Sequence, residues 1–162
     1  MPSPAPDFLT ILRVLTEHGV DFVIVGGVCG VLHGAPIATF DLDVVHSREP
    51  ANLDRLLAAL SALGAHARGQ GDRRVVPDRS HLESPGHQLL MTSAGPLDLL
   101  GVIAQDRGYA DLVPHSTEVT VSGMRLRLLD LETLIETKET IARDKDRAVL
   151  AILRRTLEEK RK

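Results

Sequence analysis

The sequence predicts an α+β fold, and three observations carry that reading. A capped amphipathic helix is closed by glycine and followed at once by a short β-branched run. A leucine-rich helix occupies the middle of the chain, and a β-hairpin followed by helices occupies its C-terminal third.

The elements follow in order. Pro2, Pro4 and Pro6 make an irregular lead-in. Asp7 is a good N-cap, because its carboxylate can accept from the free N–H groups of a first turn. Phe8, Ile11, Leu12 and Leu15 then share one face at helical spacing, which predicts a helix from about Phe8 to His18 with Gly19 as its stop. Asp21 to Val25 reads as a buried strand, being short, β-branched and bounded by glycine. Gly26-Gly27 follow directly, and Val28 to His33 reads as a short helix closed by Gly34. A second strand is predicted from Phe40 to Val45. Pro50 to Leu63 is amphipathic, with Leu53, Leu56, Leu57, Leu60 and Leu63 on one face.

The stretch from Ala65 to Ser84 is polar and rich in Arg, Asp, Gly and Pro, with one short strand predicted around Arg74 to Val76. Strands follow at Gln88 to Thr92 and Pro96 to Leu100, then an irregular segment or short helix over 102–114. Ser122-Gly123 is a tight-turn dipeptide between Thr117–Val121 and Met124–Leu128, a hairpin signature. Asp130 is placed to cap a helix reaching about Arg143, and a last helix is predicted over roughly Asp146 to Glu159.

Composition narrows the function. The 162 residues are 43% hydrophobic but only 2% aromatic, with no Trp, so the core is aliphatic and the composition argues against a base-stacking platform. A net charge of -3 excludes a uniformly basic nucleic-acid binder. Residues 143–162 nevertheless hold eight Lys or Arg against four acids, readable as an RNA-facing edge or as a solvated helix face. Cys29 is the only cysteine, which excludes an internal disulfide and a thiolate-rich zinc site, and no disulfide-linked partner is expected. The opening MPSPAPDFLT lacks the basic-then-apolar pattern of a secretory signal. No apolar stretch approaches the ~18 residues of a membrane span. No membrane association and a cytoplasmic location are the expectation.

Three features carry the chemistry. Gly26-Gly27, between a buried strand and a helix, let the backbone approach a ligand closely, and a helix start offers unpaired N–H groups that suit phosphate. Asp41 and Asp43 flank Leu42 on a predicted strand, so both carboxylates project to one face. Like charges so placed call for a cation, and oxygen ligands suit Mg2+ or Mn2+. Asp98, set among Pro96, Leu97, Leu99 and Leu100, is a charge on an apolar strand and needs a partner or a metal.

Taken in order, Val25-Gly26-Gly27, His33-Gly34 and Thr39-Phe40-Asp41-Leu42-Asp43 resemble the "GG…HG…T-x-D-L-D" signature of the nucleotidyltransferase (polymerase-beta-like) superfamily, in the small bacterial branch that includes AbiEii-like toxins. Leu129 to Lys138 and Arg143 to Asp146 are similar to that branch's "L…L-I-x-x-K…R-x-K-D" tail, so the likeness spans about residues 20–150. It implies a mixed β-sheet core over 1–112 flanked by helices, with a C-terminal hairpin and helical extension over 113–162 packed on the same domain. It implies an enzyme that moves a nucleoside monophosphate from an NTP, ATP among them, to a hydroxyl and releases pyrophosphate. Asp41, Asp43 and Asp98 would be catalytic and would hold the Mg2+ (or Mn2+). Gly26, Gly27, Thr39, Lys138 and Lys145 would bind the nucleotide. The implied acceptor is RNA, a tRNA end, a protein or a small molecule, and a toxin-like role would bring an antitoxin partner.

One departure stands out: Ile37 occupies a position where that branch commonly carries Arg, two residues before the Thr. This keeps a catalytically silent nucleotide-binding or regulatory member open as an alternative, and a phosphohydrolase using the same acids is another. A dinucleotide-binding domain fits poorly, because Gly26, Gly27 and Gly30 do not have the spacing G-x-G-x-x-G.

Overall fold

A computed structural model describes residues 6–140 and 144–162; the side chains of Asp144 and Lys145 lie outside that set. The segment predicted as a first helix is α1, Phe8–Glu17, and the Asp7 carboxylate accepts from the Thr10 N–H as a cap should. It is followed by β1 (Phe22–Val25), α2 (Gly26–Leu32), β2 (Leu42–His46) and α3 (Pro50–Ala62). Then come β3 (His66–Ala67), α4 (Arg79–Glu83), β4 (His87–Thr92), β5 (Gly95–Leu100) and α5 (Tyr109–Leu112). The chain ends with β6 (Ser116–Val121), β7 (Met124–Leu129), α6 (Leu131–Thr140) and α7 (Asp144–Arg161).

The seven strands form one sheet in the order β3-β4-β5-β2-β1-β7-β6. It is mixed: β2 runs parallel to β5, β1 runs parallel to β7, and the remaining pairs are antiparallel. The three middle strands explain the placement of the acids. Leu42 lies beside Leu97 and Val44 beside Leu99, and all four are at most 1% exposed. Their neighbours in sequence, Asp43 and Asp98, must then share the opposite face, because successive side chains of a strand alternate. Each buried leucine contributes about 1.5–3 kcal/mol of apolar burial. The leucines therefore hold the register that puts the two acids side by side.

Local chemistry accounts for the other boundaries. Ser122 (φ 48°) and Gly123 (φ 79°) are both left-handed, the pattern of a type I′ hairpin, and they close β6 onto β7. No strand forms at Arg74 to Val76. That segment is irregular, although the Ala67 N–H donates to the Val75 carbonyl at 2.7 Å. The edge strand is instead His66–Ala67, which pairs with Leu90 and Met91 of β4. The short helix α4, which periodicity did not predict, is held by its cap, where the Asp78 carboxylate accepts from the His81 N–H.

The helix predicted from Asp146 begins at Asp144. Two of its basic side chains are engaged with α6: Arg154 pairs with Glu139 at 2.8 Å and Arg161 with Glu132 at 3.0 Å. These exposed pairs contribute about 0–1 kcal/mol each, so they orient α7 more than they stabilise it. No helix among the described residues is long and apolar enough to cross a membrane.

Leu42→Ala is expected to lower stability by about 2–5 kcal/mol, the range for a fully buried leucine. Urea denaturation followed by circular dichroism checks this; an unchanged midpoint would mean that Leu42 does not hold the register.

Candidate active site

The register of the central strands assembles the site. Asp43 on β2 lies opposite Val25 on β1 and beside Asp98 on β5, and Asp98 lies opposite Leu89 on β4. Residues paired in this way point to the same face of a sheet. Asp41 arrives from the loop before β2. One carboxylate oxygen from each of Asp41, Asp43 and Asp98 lies within 4.8 Å of the other two. The three acids therefore converge, but not as the sequence predicted. Asp41 precedes the strand, so strand alternation does not place it. The turn does: the Thr39 hydroxyl donates to the Asp41 carbonyl at 3.1 Å.

The diglycine is required by this cluster. Gly26 has φ +68°, and a Cβ there would overlap the Asp43 carboxylate, 2.9 Å from its Cγ. A Cβ on Gly27 would come within 2.7 Å of Thr39 Oγ1. Glycine is thus needed at both positions to admit side chains of the acid-bearing segment, whatever else binds there.

The electrostatics are costly. Asp98 is 8% exposed, and neither its Oδ1 nor the Oδ1 of Asp43 has a hydrogen-bond partner among the described residues. The Arg68 guanidinium lies 2.7 Å from Asp98 Oδ1. This is an ion pair without the alignment of a hydrogen bond, so both facts hold together. Burial, followed by the charges of Asp41 and Asp98, pushes the Asp43 carboxyl up from 3.8 to about 8, with Lys138 opposing the shift. Burial and the charge of Asp98 raise Asp41 as well, with Arg68 opposing. Buried carboxylate oxygens without donors, gathered within one coordination sphere, could hold a hard divalent cation such as Mg2+ or Mn2+.

Next to Asp43 opens a cleft of about 270 Å³. It is lined by Gly26, Asp43 and Lys138 together with apolar side chains that include Leu100, Val102 and Ile103. Lys138 thus faces the site. Thr39 and Gly27 meet each other beside it. Lys145 lies outside the described residues. His33 is engaged at both ring nitrogens, with Nε2 2.8 Å from the Leu129 carbonyl and Nδ1 2.7 Å from Lys160 Nζ, which ties the end of α2 to β7 and α7. Ile37 is packed: a Cβ on Gly30 would meet its Cδ1 and Leu153 Cδ2, both at 3.1 Å. Sequence reasoning missed Arg68 altogether. It lies in a polar stretch without periodicity, and only the pairing of β3 with β4 carries it to Asp98.

This is the α+β fold of the nucleotidyltransferases. The chain is similar in structure to TM1012, a proposed nucleotidyltransferase from Thermotoga maritima (17% identity, 94% of this chain and 93% of that one, TM-score 0.57). It is similar to the lincosamide antibiotic adenylyltransferase LnuA, solved with lincomycin bound (13%, 91% and 94%, 0.61). It is also similar to the antibiotic-resistance factor ANT(2'')-Ia (16%, 93% and 82%, 0.57). No protein-family profile matches the sequence, and no curated protein matches it. At these identities the likeness is one of fold.

Two predictions follow from the geometry. Gly26→Ala is expected to destabilise the protein by about 1–3 kcal/mol, through a left-handed alanine and a displaced Asp43, and to lower its Tm by several degrees. For Asp43, the folded carboxyl titrates above its unfolded value. The native state therefore binds more protons between about pH 4 and pH 8, and metal-free stability falls as pH rises across that window. Metal-free Asp43→Asn should accordingly melt higher than wild type at pH 8 and about equally at pH 4. A wild-type Tm that rises from pH 5 to pH 8 in chelator would contradict the assignment.

Proposed function

We propose that the protein is a metal-dependent nucleotidyltransferase that moves a nucleoside monophosphate from an NTP to a hydroxyl of an acceptor. The observation that carries this reading is the convergence of Asp41, Asp43 and Asp98, each offering an oxygen within 4.8 Å of the others, beside Gly26 and a cleft that Lys138 helps to line.

Asp41, Asp43 and Asp98 would hold Mg2+ or Mn2+. Such a cation, when bound there, would supply charge neutralisation for the triphosphate and a lowered pKa for the attacking hydroxyl. Gly26 and Gly27 bring the backbone against the phosphates without a Cβ in the way. Lys138, whose charge already acts on Asp43, offsets phosphate charge from the α6 side. The cleft's apolar wall of Leu100, Val102 and Ile103 suits the nucleoside. Asp98 is placed to take the proton of the acceptor hydroxyl as its oxygen bonds to the α-phosphorus and the bond to pyrophosphate breaks. Thr39 sets the Asp41 turn and so acts through that acid. Because Ile37 packs against α2 and α7, phosphate charge is left to Lys138 and to backbone amides.

A small hydroxyl compound is the acceptor class best supported. LnuA was solved with lincomycin and ANT(2'')-Ia with adenylyl-2''-tobramycin. The arginines of α7 that would suit RNA are partly engaged by Glu132 and Glu139. An antitoxin partner has no support in the geometry.

The test is incubation with each α-labelled NTP, Mg2+ or Mn2+, and pooled acceptors: small hydroxyl compounds, total RNA and cell protein. Label transfer with pyrophosphate release is expected, and Asp41→Asn or Asp98→Asn should reduce it at least about 10³-fold, as loss of a group acting only in the transition state does. Transfer that survives in both variants would refute the proposal, and release of free monophosphate without labelled acceptor would favour a phosphohydrolase.

A further inference from the structure

Arg68 is the one cation in direct contact with the acid cluster among the described residues. It is held for that contact at two other points. Its backbone N–H donates to the Leu89 carbonyl at 2.9 Å, continuing the β3–β4 pairing. Its Nη1 donates to the Leu90 carbonyl, also at 2.9 Å. Leu89 is the cross-strand neighbour of Asp98, so this anchoring delivers Nη2 to Asp98 Oδ1 at 2.7 Å. The side chain is 26% exposed, so water only partly screens the pair.

Asp98 is also one of the three acids that would hold a metal. Asp98 Oδ1 and Asp43 Oδ1 are the two buried carboxylate oxygens of the cluster that lack a hydrogen bond, yet they differ in surroundings. Asp43 Oδ1 has no ion-pair partner among the described residues and belongs to a residue lining the open cleft, whereas Asp98 Oδ1 lies beside a guanidinium. The guanidinium stays charged at any working pH, and at 2.7 Å from this oxygen it repels a divalent cation that approaches the same carboxylate. Charge points the same way. Three carboxylates beside Arg68, with Lys138 acting on Asp43, are faced by two fixed positive charges, which leaves little demand for two divalent ions.

We propose that Arg68 is a positioning residue that occupies the place of a second divalent cation at Asp98 Oδ1, so that the resting cluster takes one ion, at Asp41 and Asp43, and a second only when Arg68 withdraws. This rests on the metal-dependent reading above. Arg68 also keeps the Asp98 carboxylate fixed beside Asp43 while nothing else binds it.

The test is Mn2+ binding to the intact protein without nucleotide, read as free Mn2+ by electron paramagnetic resonance and as stoichiometry by calorimetry. Wild type should bind one ion per chain. Arg68→Gln should bind two, or bind the second at least tenfold more tightly. Arg68→Met, which keeps the apolar stem should the first variant fail to fold, should show the same gain. Adding Asp98→Asn to either variant should abolish the gain, which a merely structural role for Arg68 would not predict. Two equivalent ions in wild type, or unchanged stoichiometry and affinity in folded Arg68→Gln and Arg68→Met, would overturn the inference and leave the proposed function standing. Wild type that binds no more Mn2+ than Asp41→Asn would overturn both.

Discussion

Everything at the site depends on one pairing: Asp43 and Asp98 lie side by side on adjacent parallel strands, on the face opposite four fully buried aliphatic residues. Side-chain alternation makes the two facts inseparable. The register that buries Leu42, Val44, Leu97 and Leu99 is the one that brings the carboxylates together, and a slip by one residue would turn leucines outward and acids inward. The aliphatic core thus supplies the free energy that holds two like charges in contact. That energy must be ample, because the contact is unfavourable until a cation relieves it.

The surrounding devices follow from the same constraint. Gly26 leaves room for the Asp43 carboxylate, Gly27 leaves room for Thr39, and Thr39 sets the Asp41 turn. A glycine pair that reads as a phosphate cradle is, in the first instance, the space in which the acidic segment fits. Arg68 partly offsets the charge at Asp98 from one side, while Lys138 acts on Asp43 from the cleft. The cluster therefore has one fixed positive charge against Asp98 and another acting on Asp43, beside a largely apolar cleft that Lys138 helps to line.

The C-terminal elements show where part of a basic charge pattern is engaged. The basic residues of 143–162 read as an edge for RNA or as a solvated helix face; of these, Arg154 and Arg161 pair with acids of α6, and Lys160 meets His33. The helix is thereby set against α6, which carries Lys138 into the cleft, and against α2, which carries the glycines. The departure at Ile37 has a comparable explanation, since that side chain fills space between Gly30 and Leu153 and belongs to the packing of α2 against α7.

The sequence by itself determined the elements with strong periodicity or definite caps: the Asp7-capped helix, the buried run before Gly26, the leucine-rich α3 and the hairpin across Ser122-Gly123. It also singled out the three acids, because a charge inside an apolar run is legible without coordinates. Local signals sufficed there, since spacing and turn chemistry act within a few residues. Only the tertiary structure decided the rest. Asp41 sits on a turn, the edge strand is His66–Ala67 where Arg74 to Val76 was expected, and Arg68 reaches Asp98 across thirty residues of chain. These are products of strand register between distant segments. Register is fixed by which leucines can be buried together, and no short stretch of the polar region 65–84 carries that information.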